Sequence, residues 1–275
     1  MKKRMSTVIL ILVFFTGLSL MLYPAVSDWW NSFHQSRAIV DYTQDVENLN
    51  NVAYQRLLSA ARDYNRTLLS RSDRFVLPES ESKEYYDLLD ISGTGIMGSI
   101  EIPAIDVFLP IYHGTDDAVL SVAIGHMEGS SLPVGGENTH CVLSGHRGLP
   151  SAKLFSNLDK LVVGDTFIIR TLDEILTYEV DQIRTVDPKE IDNLAIVPGE
   201  DLCTLVTCTP YGINTDRLLV KGHRVQTQQE TTALPISSRP SITPYVVAAI
   251  LVLLLLLILS IVIWAVFRKR FNKHD

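Results

Sequence analysis

Three side chains of this 275-residue chain are of the types that nucleophilic acyl chemistry requires. Cys208 closes an apolar run and is followed by Thr209-Pro210-Tyr211-Gly212, a turn that ends strand pairing and leaves the thiol at a sheet rim. A nucleophilic thiol needs a base or an ion-pair partner. His146, in Leu143-Ser144-Gly145-His146-Arg147-Gly148, directly follows another apolar run and can supply it. Arg217 opens the run Leu218-Leu219-Val220 and carries a permanently charged fork able to hold a substrate carbonyl or a developing oxyanion. Taken singly these are a structural cysteine, a turn histidine and a surface arginine. Taken together they are a nucleophile, a proton carrier and an anion clamp.

The other cysteines set limits. Cys203 and Cys208 are five apart in one strand-like run, so they point to opposite faces and do not easily pair. A disulfide between Cys141 and Cys203 stays open beside the preferred reading, two reduced cysteines packed as small hydrophobes. No C-x-x-C or H-x-x-x-H spacing occurs, so no metal site is expected.

The elements that must position these residues follow from pattern. Short apolar runs split by Gly, Pro and Asp lie at 96–102, 107–112, 139–143, 166–169, 175–180, 203–207 and 217–225, which predicts a mainly β domain, a barrel or a sandwich, with few helices. Residues 33–69 contain neither Gly nor Pro and carry Val46, Leu49, Val52, Leu57, Ala61 and Leu68 at helical spacing, which predicts one long or two shorter helices. The charged, Ser-rich stretch 70–84 reads as a loop. Leu132-Pro133-Val134-Gly135-Gly136 reads as a turn, and the sequon Asn65-Arg66-Thr67 carries no weight by itself.

Hydrophobic residues make up 47% of the chain, with long apolar runs at both ends. Residues 7–26 form an uncharged run behind Lys2, Lys3 and Arg4, and no A-x-A site follows it, so a retained anchor is favoured over a cleaved signal. Residues 245–267 form a second uncharged run, which ends in Arg268-Lys269-Arg270. Both basic clusters should stay cytoplasmic, which puts everything between them outside the plasma membrane. Setting aside seven basic residues and Asp275 in the two tails, the middle carries 17 basic against 30 acidic residues, a net charge of −13. Nucleic acid is thereby disfavoured as a partner.

Thr204-Leu205-Val206-Thr207-Cys208, with His146 in Gly-His-Arg-Gly upstream and Arg217 nine positions after the cysteine, resembles the signature of the sortases. Gly145-His146-Arg147-Gly148-Leu149-Pro150 and Cys208-Thr209-Pro210-Tyr211-Gly212-Ile213-Asn214-Thr215, with Leu218-Leu219-Val220 and Gly222 after the arginine, look like the class C, pilus-building branch of that family, as do Gly95-Ile96-Met97-Gly98, Ile111-Tyr112-His113-Gly114-Thr115 and the second apolar run. The resemblance implies a closed sortase-type β-barrel with His146, Cys208 and Arg217 catalytic and Thr207 in substrate binding. It implies no cofactor. It also implies a transpeptidase that cleaves an LPxTG-type sorting signal and joins the acyl group to a Lys amine of another pilin subunit, at the surface of a Gram-positive cell. A housekeeping sortase that uses a cell-wall precursor amine is the alternative within the family.

Class C members usually carry a lid with Asp-Pro-aromatic in the cleft. The match here is Asp73-Arg74-Phe75, and without Pro the loop loses its fixed φ and should hold the cleft less firmly. A closed state is expected to pair Asp73 with Arg217 and lay the Phe75 ring over Cys208. The implied organisation is a cytoplasmic tip and N-terminal span at 1–26, a helical segment and lid loop at 27–94, the catalytic barrel at 95–226, a linker at 227–243, a C-terminal span at 244–267 and a basic cytoplasmic tail at 268–275.

Two other classes compete. A membrane-tethered cysteine peptidase would resolve the thioester with water and predicts an Asn or Asp orienting the histidine. An adhesin or pilus scaffold with an incidental thiol would be indifferent to loss of Cys208.

Overall fold

The structure, a computed structural model, describes residues 2–71 and 73–227 and the isolated positions 252, 255, 258 and 259. The chain divides into two units, Met1–Leu234 and Pro235–Asp275, and the following concerns the first. The four isolated positions are helical. The remainder of the expected C-terminal span, and the linker from residue 228 onward, lie outside the described residues.

Helix α1 spans Lys2–Glu47 and α2 spans Asn51–Leu68. The first apolar run and the helix expected after it are therefore continuous, with Pro24 inside α1. Among the described residues α1 is the helix long and apolar enough to cross a membrane. The chain breaks at 48–50, where the Asn50 side chain caps α2 by accepting from Ala53 N at 2.8 Å. Residues 70–84, expected to be all loop, instead contain the start of α3, Glu79–Asp87. Pro78 precedes its first turn, Glu79 and Glu81 oppose the helix dipole there, and burial of Tyr85 ties it to the barrel. A short α4 spans Asp117–Leu120.

Eight strands follow: β1 Ile96–Ile102, β2 Val107–His113, β3 Ile124–His126, β4 Thr139–Ser144, β5 Thr166–Thr171, β6 Glu174–Val186, β7 Asp201–Thr209 and β8 Asp216–Val225. They close into a barrel in the order β1-β2-β3-β4-β7-β8-β6-β5, with β2/β3 and β4/β7 parallel and the other pairs antiparallel. The barrel, rather than a sandwich, is thus the outcome. Its interior holds Ile100, Ile111, Cys141, Leu143, Phe167, Tyr178, Cys203, Leu205 and Val220, all buried. Burying an aliphatic or Phe side chain of this kind contributes about 1.5–3 kcal/mol.

The helices are fastened to this frame by polar contacts as well as apolar ones. Tyr42 of α1 donates from Oη to Met97 O and accepts from Leu172 N, both at 2.9 Å. Tyr85 of α3 sits 2.9 Å from His126 Nδ1 and accepts from Gly114 N at 3.1 Å. Asn65 of α2 is buried, donating to Leu132 O and accepting from Leu132 N, so the sequon asparagine is a structural bracket for the Leu132–Gly136 turn.

Candidate active site

The site is built where β4, β7 and β8 end together. Along β7 the side chains alternate, so Cys203 and Leu205 enter the barrel while Val206 packs into an outer apolar cluster. Cys208 shares the outer side with Val206 and is half-buried, one residue before the strand stops at Thr209. Pro210 has no N–H with which to continue the ladder. Antiparallel β8 begins at Asp216, and its Arg217 stands opposite Cys208 in the register. Directly opposed side chains in such a pair have Cβ atoms about 4.5–5.5 Å apart.

The Arg217 guanidinium donates from Nη1 to Asp216 O at 3.1 Å and to Asn214 O at 3.4 Å, which holds it toward the β7–β8 loop. That loop is wound by Ile213 N and Asn214 N, both donating to Pro210 O, and Gly212 takes φ +76° within it. Thr215 donates to the Asp216 carboxylate at 2.8 Å.

His146 lies two residues beyond the end of β4. In the parallel β4/β7 register Ser144 faces Val206, and Gly145 N then donates to Val206 O at 3.0 Å. The register so continued sets His146 level with Cys208, and His146 is half-buried. Gly145 is required here, because a Cβ would lie 2.6 Å from the Phe155 ring. The Thr207 hydroxyl is buried and donates to Gly145 O at 2.7 Å. Thr207, expected in substrate binding, thus faces away from the Cys208 side and brackets the turn that carries His146. No hydrogen bond joins Cys208 to His146 among the described residues.

Sequence reasoning missed the clamp beside this turn. Arg147 lies in an ion pair with Asp159 at 2.5 Å, reaches Thr209 Oγ1 at 3.4 Å and sits 5.7 Å from the Tyr211 ring centre. It thereby ties the loop after β4 to the loop after β7. The signal available was only the Arg inside Gly-His-Arg-Gly; its partners Asp159, Thr209 and Tyr211 are far apart in the chain.

The candidate lid also differs from expectation. Asp73 is exposed and forms no ion pair with Arg217. The Phe75 ring packs on the outer cluster of Val142, Val186, Leu194, Val206 and Leu219, beside Met127, on the side of the sheet that carries Cys208 and Arg217. Arg74 is the anchor: it is only 6% exposed, donates to Gly129 O at 3.3 Å and to Leu194 O, and its guanidinium lies 4.4 Å from the Phe75 ring centre. Gly129, at φ +81°, admits this backbone, since a Cβ there would meet Arg74 O at 1.9 Å.

Near Arg74, His140 is fully buried. Its Nδ1–H donates to Ala195 O at 2.8 Å, and Nε2 accepts from Thr204 Oγ1 at 2.7 Å, as a neutral ring must. Burial, assisted by Arg74 and Lys221, lowers its pKa to about 4 against the backbone hydrogen bond to Ala195. Among the described residues no group of three His, Cys, Asp or Glu side chains is arranged to hold a metal.

Residues 100–225 match the model of the sortase domain. The crystal structure of sortase C1 from Streptococcus agalactiae superposes with a TM-score of 0.67 and 50% identity over 70% of this chain and all of that one. The chain belongs to the sortase family. Sortase C of Streptococcus pneumoniae gives 42% identity and a TM-score of 0.63 over 70% of this sortase and 97% of that chain. Sortase C-1 of Actinomyces oris gives 46% and 0.59 over 63% and 99%. The structural neighbours of this sortase are therefore class C enzymes. Among curated relatives, sortase A of Streptococcus agalactiae is 31% identical over 141 residues, half of this chain and 56% of its own length. Sortase D of Bacillus subtilis is 32% identical over 131 residues, 46% of this chain and 63% of its own length. The matched stretches thus span less than two thirds of either curated relative. The domain match contains His146, Cys208 and Arg217 and excludes Asp73 and Phe75.

Proposed function

We propose that this sortase is a cysteine transpeptidase of the pilus-building kind, with Cys208 as nucleophile, His146 as proton carrier and Arg217 as oxyanion and substrate clamp. The observation that supports the reading is Arg217 across the β7/β8 ladder from Cys208, with His146 two residues beyond the end of β4, the parallel neighbour of β7. The Cys208 thiolate attacks the Thr carbonyl carbon of an LPxTG-type sorting signal. Negative charge then gathers on the carbonyl oxygen, where the Arg217 guanidinium can meet it. The C–N bond to the Gly breaks, His146 gives its proton to the departing amine, and a thioester remains on Cys208. A Lys amine of a second pilin subunit gives up a proton to His146 and attacks the thioester carbonyl. Cys208 leaves as thiolate and an isopeptide bond is formed.

The class C assignment rests on structural neighbours at 40–50% identity that cover most of this chain. The apolar first half of α1 and the basic residues before it support a membrane anchor with the barrel outside, and the second span at 244–267 belongs to the same proposal. The test is incubation of the purified full chain with a sorting-signal peptide and a lysine-bearing pilin domain. A hydroxylamine-sensitive thioester at Cys208 and an isopeptide-linked product support the reading. Release of the peptide by water alone, with pilin present, would favour the peptidase alternative, and product formation by Cys208→Ala would overturn both.

A further inference from the structure

The barrel interior holds two thiols that the reaction does not use. Cys141 and Cys203 are register partners in the parallel β4/β7 pair, and both side chains belong to the inner cluster, 2% and 0% exposed. Adjacent strands run about 4.7–4.9 Å apart. Register partners on the same face therefore fall inside the 4.4–6.8 Å Cα separation that a disulfide bridges. The two thiols are hydrogen-bond neighbours, and His126 adds a second partner for Cys141. Burial, followed by the adjoining Cys141, pushes the Cys203 thiol well up, whereas on Cys141 the hydrogen bonds of Cys203 and His126 oppose burial and favour the thiolate. All three cysteines are free in this structure.

We propose that Cys141 and Cys203 are a disulfide site, closed when the folding chain meets a disulfide oxidant outside the membrane, and that the bond staples the two strands that launch His146 and Cys208. The Cys141 thiolate attacks one sulfur of the oxidant disulfide, R–S–S–R, forming a mixed disulfide and releasing one RSH. The Cys203 thiolate displaces the second RSH and leaves the Cys141–Cys203 bond. Two protons and two electrons end on the two oxidant thiols. The exchange belongs to folding, before the barrel seals the pair.

The placement has a functional consequence. Cys141 lies five residues before His146, and Cys203 lies five residues before Cys208. A bond at their register position fixes the offset between the two ladders that carry the reacting groups. It also removes two of three thiols from competition, so that Cys208 has no partner within the chain with which to be lost as a disulfide.

This inference does not depend on the transpeptidase reading, since its readout is a thiol count. The full chain is exported into an oxidising periplasm, extracted without reductant and unfolded in the presence of a maleimide. One labelled thiol is expected, at Cys208, together with a linked pair of peptides containing Cys141 and Cys203. Removing a cysteine should raise the count, because Cys141→Ala and Cys203→Ala each leave two labelled thiols. Cys208→Ala should leave none. Three labelled thiols in the native chain, or two in Cys208→Ala, would overturn the assignment.

Discussion

The two faces of the β4–β7 pair carry the same residue type to different ends. On the inner face Cys203 is sealed among Leu205, Tyr178 and Cys141, and burial makes its thiolate costly. Five residues later on the same strand, Cys208 stands on the outer face, half-buried at the rim and opposite a guanidinium. An odd separation in a strand changes the face, and the distance to the strand end sets the depth. Those two quantities, rather than the chemistry of the side chain, decide which thiol packs and which can react.

The sharpest way to break this comparison is to delete each thiol. Cys208→Ala should abolish thioester formation with a sorting-signal peptide, measured by mass spectrometry of the trapped enzyme. Cys203→Ala should leave acylation within a few-fold while lowering unfolding free energy by about 2–5 kcal/mol in a denaturant titration, the cost of losing the disulfide. Equal losses from both would mean that the faces are not functionally distinct. Next in size comes the cation. Arg217→Ala should lower the acylation rate by about 10²–10³-fold. Arg217→Lys should restore a minor part of it, because a point charge on a flexible stem cannot reproduce the fork.

Much of this was legible because each strand carries its own local signal, even though the pairings β1/β5 and β4/β7 join distant segments. Seven strands announce themselves as apolar runs between turn residues, and the rim position of Cys208 follows from Thr-Pro-x-Gly. Three residues, Ile124–His126, are too few to show a period, so β3 was not read. The helix α3 was hidden because Glu and Ser dominate its exposed faces and Tyr85 alone is buried. The Arg74 anchor was illegible for a different reason. Its acceptors are main-chain carbonyls 55 and 120 residues away, and a carbonyl carries no side-chain signature. The bond from Thr207 to Gly145 O was illegible as well, because the motif gives residue types but not which face each occupies.

The outer face is itself graded in depth, and pH reads the grading. His140 lies on it beneath the Asp192–Leu194 turn, and its pKa of about 4 in the folded chain compares with about 6.5 in a free histidine. Between these values the unfolded chain binds a proton that the folded chain refuses. Stability is therefore unaffected by this group above pH 6.5 and falls as pH drops from 6.5 toward 4, by about 3 kcal/mol in all. His113, also lowered by burial, adds to the slope in the same direction. His140→Gln should remove about one proton from the pH dependence of the unfolding free energy while keeping a donor and an acceptor in place. An unchanged slope would mean that water reaches His140 through the outer face.

The smallest effect concerns the cover on that face, and its sign separates two pictures of the lid. If a proline at position 74 were the stiffening element, Arg74→Pro would hold Phe75 down more firmly and slow alkylation of Cys208. The contacts argue for the opposite outcome. The guanidinium supplies two hydrogen bonds to Gly129 and Leu194 carbonyls and stacks on Phe75, and a proline would forfeit all three while fixing only φ. Hydrogen bonds to a charged group contribute about 1.5–3 kcal/mol when made, but water solvates the released guanidinium and carbonyls in the open state. A net weakening of about 1 kcal/mol raises the open fraction about fivefold. Arg74→Ala and Arg74→Pro should therefore both speed alkylation of Cys208 by roughly that factor, and deletion of 71–75 should do at least as much. Gly129→Ala should act in the same direction from the other side of the contact, because its Cβ would collide with the Arg74 carbonyl. Slower labelling in Arg74→Pro, with Arg74→Ala unchanged, would show that main-chain stiffness and not the side-chain anchor governs access to the thiol.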